Sequence, residues 1–150
     1  MAYRYRQLTV KDLLDFKALL KVFGKAFNEH KIYQGNVPSD AYQQYLLEKD
    51  DFIVLAAFDG TQVVGGLAAY VLEKFEQERK ELYIYDLAVS EEHRRRGIAT
   101  ALINNLKSIA KEIGAYVIFV QADKGDTAAI KLYESLGKAE ETLNFDIDVG

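Results

Sequence analysis

Between Leu82 and Ala122 two short apolar runs, LYIYDLAV and AYVIFVQA, flank a segment whose apolar residues recur at helical spacing. Ile98, Leu102, Ile103, Leu106, Ile109, Ala110 and Ile113 form one stripe, and Gly114 supplies a C-terminal stop. Strand, helix and strand in that order make a βαβ unit, which calls for parallel strands and a right-handed crossover. LYIYDLAV, apolar except for Asp86, is expected at the centre of a sheet, and AYVIFVQA is expected to be a buried strand.

The flanking segments fit around that unit. FIVLAAF and QVVGGLAAYVL are β-branched, apolar runs separated by Asp59, Gly60 and Thr61, a combination suited to a hairpin because glycine accepts positive φ. The charged stretch EKFEQERKE then reads as a solvated connection. Upstream, Thr9 followed by VKDLLDFKALLKVFGKAF predicts an amphipathic helix carrying Leu13, Phe16, Leu19, Leu20 and Phe23, with Thr9 and Asp12 as an acidic variant of the capping box. A second helix, AYQQYLLEKD, follows Pro38 and is capped by Ser39 or Asp40. Downstream, DTAAIKLYESLG reads as a short helix ending at Gly137 and TLNFDIDV as a last alternating strand. The order αα, ββ, βαβ, αβ contains no repeat and no linker, so residues 1–150 are expected to form one mixed α/β domain.

Composition narrows the chemistry. Nineteen Lys and Arg against 23 Asp and Glu leave a formal charge of −4, which argues against nucleic acid as a partner, because phosphate neutralisation needs a surplus of clustered cations. The absence of cysteine excludes disulfides, thiolate metal sites and a Cys nucleophile; two histidines are too few for most His-based zinc sites, and no metal is expected. The N-terminus MAYRYRQLTVKDL lacks an apolar signal core, and nowhere do eighteen apolar residues run together. No membrane partner and a cytoplasmic address are therefore expected.

Against that acidic background, Arg94, Arg95 and Arg96 precede Gly97 at the head of the long helix. A helix start exposes unpaired N–H groups and the positive end of the dipole, Gly97 and Ala99 admit a ligand close to the backbone, and Thr100 adds a hydroxyl. A phosphate or pyrophosphate is the guest such a site takes. The alternative is a solvated loop in which Gly97 only closes a turn. The pattern has too few glycines for a Walker loop or a Rossmann fingerprint.

RRRGIA, Arg94 to Ala99, resembles the Arg/Gln-x-x-Gly-x-Gly/Ala pyrophosphate loop of the GNAT acyl-CoA N-acetyltransferases, and it stands, as in that family, after a strand and before a long helix. AAIKLYESLG, Ala128 to Gly137, resembles the second signature of the family. FIVLAAFDGTQVVGGLAAYVLEKFEQ, YIYDLAVSEEHRRRGIATALINNLK, GAYVIFVQAD and the terminal FDID are similar to gentamicin-type aminoglycoside 3-N-acetyltransferases. The resemblance implies the GNAT fold, a mixed central sheet flanked by helices. It also implies acetyl-CoA as co-substrate and a polycationic amine as acceptor, with acetyl transfer to the 3-amino group of the aminoglycoside.

Carried onto this chain, the resemblance puts the pantetheine between LYIYDLAV and the strand from Tyr116 to Gln121, against the backbone of Leu87, Ala88 and Val89. The pyrophosphate falls on Arg94, Arg95, Arg96, Gly97, Ile98, Ala99 and Thr100, and Asp126 and Ala129 join the CoA contacts. Asp126 stands where the family has Asn, and Lys138 where it has an aromatic residue. Tyr133 becomes the general acid for the departing thiolate. By spacing alone, Ile130, Tyr133 and Leu136 favour a core stripe, and only the motif match turns Tyr133 toward catalysis.

Asp86 is the candidate to hold or deprotonate the acceptor ammonium, as base or electrostatic anchor; the other reading is a carboxylate satisfied by structural bonds. In FDIDV, alternation would place Asp146 and Asp148 on one strand face, as acceptor-binding carboxylates or as the charged side of an edge strand. Glu140 and Glu141 read as solvent charges. Tyr83, Tyr85 and Tyr116 have packing as sufficient reason, and His30 and His93 are expected at the surface. The sheet ends after about six strands, and a homodimer would complete its edge. Two other readings stand beside aminoglycoside transfer: the same chemistry on a polyamine or protein amine, and a CoA-binding module without catalysis.

Overall fold

The hairpin and the βαβ unit join in one five-stranded sheet in the computed structural model, which describes residues 2–28 and 37–150. Strands β1 (Arg4–Gln7), β2 (Phe52–Asp59), β3 (Gln62–Glu73), β4 (Lys80–Val89) and β5 (Ala115–Val120) lie side by side in chain order. Neighbours run antiparallel except β4 and β5, the parallel pair that the βαβ pattern requires. Its crossover is α3 (Ile98–Ile113), which buries Ile98, Leu102, Ile103, Leu106 and Ala110 and ends on Gly114 at φ +80°. Together with α4 (Thr127–Glu134), α3 covers one face of the sheet; α1 (Leu13–Ala26) and α2 (Asp40–Glu48) cover the other. This is the expected GNAT arrangement of a mixed sheet flanked by helices.

Local chemistry sets the element ends. A short 3-10 turn, Val10–Asp12, leads into α1, and its start is closed reciprocally: the Asp12 carboxylate accepts from Thr9 N at 2.8 Å while the Thr9 hydroxyl accepts from Lys11 N at 3.3 Å. Ser39, not Asp40, caps α2, accepting from Tyr42 N at 3.2 Å. Gly60 turns the β2–β3 hairpin at φ +62°. A Cβ on Gly66 would lie 2.5 Å from the Leu55 carbonyl oxygen and 2.6 Å from Leu19 Cδ1, so the absent side chain is what lets α1 sit down on the sheet.

One strand lies outside the sequence reading and two expectations need correction. β1 is short and polar, yet Tyr3 and Tyr5 alternate with Arg4 and Arg6 and pack onto the core while the arginines stay outside. β5 is the edge of the sheet and not a buried strand: with no neighbour beyond it among the described residues, Tyr116 is 50% exposed and Phe119 37%. Residues 142–149 form no strand; the whole stretch from 138 to 150 is irregular and exposed, because alternation makes a strand only where a ladder partner is at hand. The common strand face expected for Asp146 and Asp148 is accordingly not formed within one chain.

Candidate active site

The site grows from an irregularity in β4. Ladder register between β3 and β4 shifts where Ala68 faces Asp86 and Ala69 faces Ile84, leaving Tyr85 as an extra residue, a bulge. Before it, Leu82 and Ile84 point into the core under α3; after it, Leu87 and Val89 continue that side. Asp86 stands opposite Ala68, and Ala68 and Ala88 both belong to the α1 side, so Asp86 faces α1. The bulge thus sets the carboxylate of Asp86 and the side chain of Leu87 on opposite faces of the sheet.

At the same point the parallel pair parts. β5 accompanies β4 only as far as Ile84 opposite Val120, and no residue of β5 stands opposite Tyr85–Val89. Among the described residues the edge of Leu87, Ala88 and Val89 toward β5 therefore has no strand partner; this is the edge on which the resemblance puts the pantetheine. Arg94 Nε donates to the Val89 carbonyl at 3.0 Å and ties the following loop to the end of this strand.

That loop delivers the chain to α3 in a strained form. Arg95 and Gly97 both adopt left-handed backbone, at φ +62° and +79°, and nothing lies within 4 Å of where a Gly97 Cβ would stand. Gly97 gives α3 no side-chain cap, and its first turn contains no acidic residue, so the amides of Ile98, Ala99 and Thr100 keep the unpaired donors of a helix start. These donors, the open space and the helix dipole together fit a pyrophosphate. The arginines divide their work: Arg94 braces β4, Arg96 Nη1 donates to the Tyr3 hydroxyl at 3.0 Å, and Arg95 has no such partner among the described residues. Tyr3 is also 2.9 Å from His93 Nδ1, which gives His93 a structural partner; His30 lies outside the described residues.

On the α3 side of the sheet, Tyr133 packs against the same core cluster as Leu87, Val89 and Ile98, so the expected acid, acetyl-binding strand and phosphate loop meet around one set of side chains. Burial, and secondarily the charge of Asp126, raises its hydroxyl above the ordinary tyrosine range, and it is a proton donor throughout the neutral range. Among the described residues that hydroxyl has no hydrogen-bond partner. Asp126 is engaged within the fold, since its carboxylate caps α4 by accepting from Ala129 N at 3.1 Å.

On the α1 side, Asp86 lies beside a row of aromatic rings for which packing alone is sufficient reason in the sequence. Ring centroids follow one another across the sheet from Phe52 to Tyr70 (5.3 Å), Tyr70 to Tyr85 (6.0 Å), Tyr85 to Tyr83 (5.9 Å) and Tyr83 to Phe119 (4.7 Å). Burial raises the Tyr70 and Tyr83 hydroxyls, and neighbours including Tyr85 and Asp86 raise them further. Nothing in the sequence singles out Tyr70; its direct ladder position opposite Tyr83 is a register fact that no local pattern encodes. Asp146 and Asp148 are not brought to this face. They lie in the exposed tail, where their carboxylates accept from Asn144 Nδ2 and Gly150 N.

The sequence of the acetyltransferase (GNAT) family matches this chain over residues 17–138. The chain belongs to the GNAT family. The family is one of acetyltransferases, and it uses acetyl-CoA as its co-substrate. The crystal structure of an aminoglycoside acetyltransferase from an uncultured soil metagenomic sample is 55% identical, covers 100% of both chains and superposes with a TM-score of 0.98. Another aminoglycoside acetyltransferase from such a sample, in complex with sisomicin, is 32% identical, covers 99% of this chain and 97% of its own, and gives a TM-score of 0.91.

Among curated relatives, the catalytic subunit of the N-terminal acetyltransferase B complex of Arabidopsis thaliana is 32% identical over 88% of this GNAT chain and 70% of its own length. N-acetyltransferase 8B of Rattus norvegicus is 30% identical over 66% of this chain; the chain spans 44% of that relative's length. Among the described residues no helix is long and apolar enough to cross a membrane, and no cluster of His, Cys, Asp or Glu could hold a metal ion.

Proposed function

We propose that residues 1–150 act as one catalytic domain that acetylates the 3-amino group of gentamicin-type aminoglycosides from acetyl-CoA, removing a cationic contact from the drug and so conferring resistance. The observation that carries the reaction is the parting of β4 from β5 beyond Ile84 and Val120, with Asp86 on one face and Tyr133 on the other. Likeness to the sisomicin-bound relative and the net charge of −4 support a polycationic acceptor.

Acetyl-CoA supplies an acetyl thioester. The amides at Gly97, Ile98, Ala99 and Thr100 hold its pyrophosphate, assisted by Arg94, Arg95 and Arg96, while Asp126 and Ala129 border it at the start of α4. The backbone of Leu87, Ala88 and Val89 pairs with the pantetheine, and an N–H near Val89 faces the thioester oxygen, where negative charge grows as the amine attacks. Asp86 holds the acceptor ammonium and takes its proton, directly or through water. As the C–N bond forms and the C–S bond breaks, Tyr133 gives its proton to the departing sulfur. Tyr70, Tyr83 and Tyr85 offer ring faces and hydroxyls to a cationic, hydroxylated acceptor beside Asp86.

A protein amine is the second reading, favoured by likeness to the N-terminal acetyltransferase subunit. Thiol release from acetyl-CoA, measured with gentamicin, kanamycin, spermidine and a peptide amine, separates the two. Gentamicin turnover with the product acetylated at the 3-amino group is expected; turnover of the peptide or spermidine without any aminoglycoside would reject the proposal.

A further inference from the structure

The loop between β4 and α3 is braced by a residue from the far end of the chain. Tyr3 stands just ahead of β1, 90 residues before His93. Because β1, β2, β3 and β4 alternate in direction, β1 begins at the end of the sheet where β4 finishes, and Tyr3 lies beside the turn that follows Val89. Its ring packs on the α3-side core and stands edge-on to His93, with centroids 5.7 Å apart and planes at 80°. Its hydroxyl accepts from Arg96 Nη1 at 3.0 Å and lies 2.9 Å from His93 Nδ1. A phenol has one proton and two lone pairs, so with Arg96 as donor that proton is left for His93, whose Nδ1 accepts it. One hydroxyl thereby holds two residues of the loop.

What these bonds hold is a conformation the loop does not favour by itself. Arg95, at φ +62°, is left-handed without being glycine, a state that persists only where its surroundings over-determine it. The surroundings do so from both sides. Ser90 N donates to the Val64 carbonyl at 2.8 Å and fixes where the loop begins, and Arg94 is tied to the Val89 carbonyl. Beyond Arg95, Arg96 is tied to Tyr3. The strained residue therefore sits between two anchored arginines, and the second of them directly precedes Gly97 and the unpaired amides of Ile98, Ala99 and Thr100. Where Arg96 is held decides where those amides point. Without the Tyr3 hydroxyl that hold is weakened, while a phenylalanine at the same place keeps the ring on the core.

We propose that Tyr3 is a positioning residue for the co-substrate: through Arg96 and His93 its hydroxyl fixes the loop in the form that presents the amides of Gly97, Ile98, Ala99 and Thr100 to the pyrophosphate of acetyl-CoA. The inference rests on the pyrophosphate reading of that loop. Tyr3 acts through the loop and not on the reacting atoms, so its effect is confined to the nucleotide end of the co-substrate and absent from acetyl transfer itself.

S-acetylpantetheine carries the thioester and pantetheine of acetyl-CoA without the pyrophosphate, and so separates the two ends. Thiol release from each donor is measured for the unaltered chain, Tyr3→Phe, Arg96→Ala and the double variant, with gentamicin, spermidine or the peptide amine, whichever is turned over. Calorimetry gives CoA affinity with no acceptor present. The unaltered chain should favour acetyl-CoA by at least about 100-fold in kcat/KM, as two charge-assisted hydrogen bonds at about tenfold each would give. Tyr3→Phe should weaken CoA and raise the KM for acetyl-CoA about fivefold, with kcat unchanged and S-acetylpantetheine turnover within about twofold of the unaltered chain. Added to Arg96→Ala it should cost less than about twofold more, because the hydroxyl acts through that guanidinium. An equal loss with both donors, an unchanged CoA affinity, or losses that simply multiply in the double variant would overturn the positioning role. An unaltered chain that uses both donors alike would instead overturn the pyrophosphate reading of the loop, and the role of Tyr3 with it.

Discussion

Replacing Tyr133 by Phe separates catalysis from packing. The ring lies against the core cluster of α3 and β4, and its hydroxyl has no hydrogen-bond partner among the described residues, so the substitution keeps the apolar contact and leaves no orphaned group. Its effect on stability should stay within about 0.5 kcal/mol, a shift of about 1–2 °C in a chain of this size. The effect on rate should be much larger. General acids contribute about 10²–10⁴-fold, and a thiol of ordinary pKa near 8.5 is a tolerable leaving group, so the lower bound of about 100-fold in kcat, or about 2.7 kcal/mol, is expected. Thiol-release kinetics with gentamicin, calorimetric CoA binding and thermal melting read the three quantities independently. Because burial and Asp126 raise the hydroxyl, the alkaline limb of kcat should lie above about pH 10. Asp126→Asn removes one raising charge while keeping a capping side chain, and should draw that limb to lower pH. Unchanged kcat in Tyr133→Phe, or a loss matched by an equal loss of CoA affinity, would refute the acid role.

Asp86→Asn should lower kcat/KM for gentamicin by about 10–100-fold with CoA affinity intact, and should let Tyr70 and Tyr83 ionise at lower pH by spectrophotometric titration, since the charge holding them up is gone; full activity would make the carboxylate structural. Gly97→Val meets no neighbour, so its penalty is the left-handed φ of +79° alone, about 1–2 kcal/mol. CoA affinity should fall about 5–30-fold, against less than about threefold for Arg95→Ala, and the reverse ranking would move the site from amides to side chains. Gly66→Ala drives a Cβ into the Leu55 carbonyl and Leu19 and should cost about 1–3 kcal/mol by chemical denaturation; a neutral outcome would mean α1 lifts freely from the sheet. Gln43 is 1% exposed with neither side-chain polar atom bonded among the described residues, and Gln43→Leu should raise stability by about 1 kcal/mol, whereas a loss would reveal a partner for the amide.

What the sequence determined by itself was whatever repeats over a few residues. The α3 stripe, the Gly60 turn, the Thr9–Asp12 closure and the strand–loop–helix around Gly97 each depend on chemistry within one or two turns of chain, and each stands where the pattern put it. β1 was not legible, because four residues with outward arginines carry too little apolar signal. Tertiary structure alone decided which strand lacks a neighbour, and so why the apolar run of β5 is half exposed and the alternating tail unpaired. It also decided that the chain bulges at Tyr85, which turns Asp86 to one face and Leu87 to the other and joins Tyr70 to the tyrosines of β4. Periodicity reports that a side chain is suited to burial; it does not report what buries it, because ladder partners are chosen by residues far away in the chain.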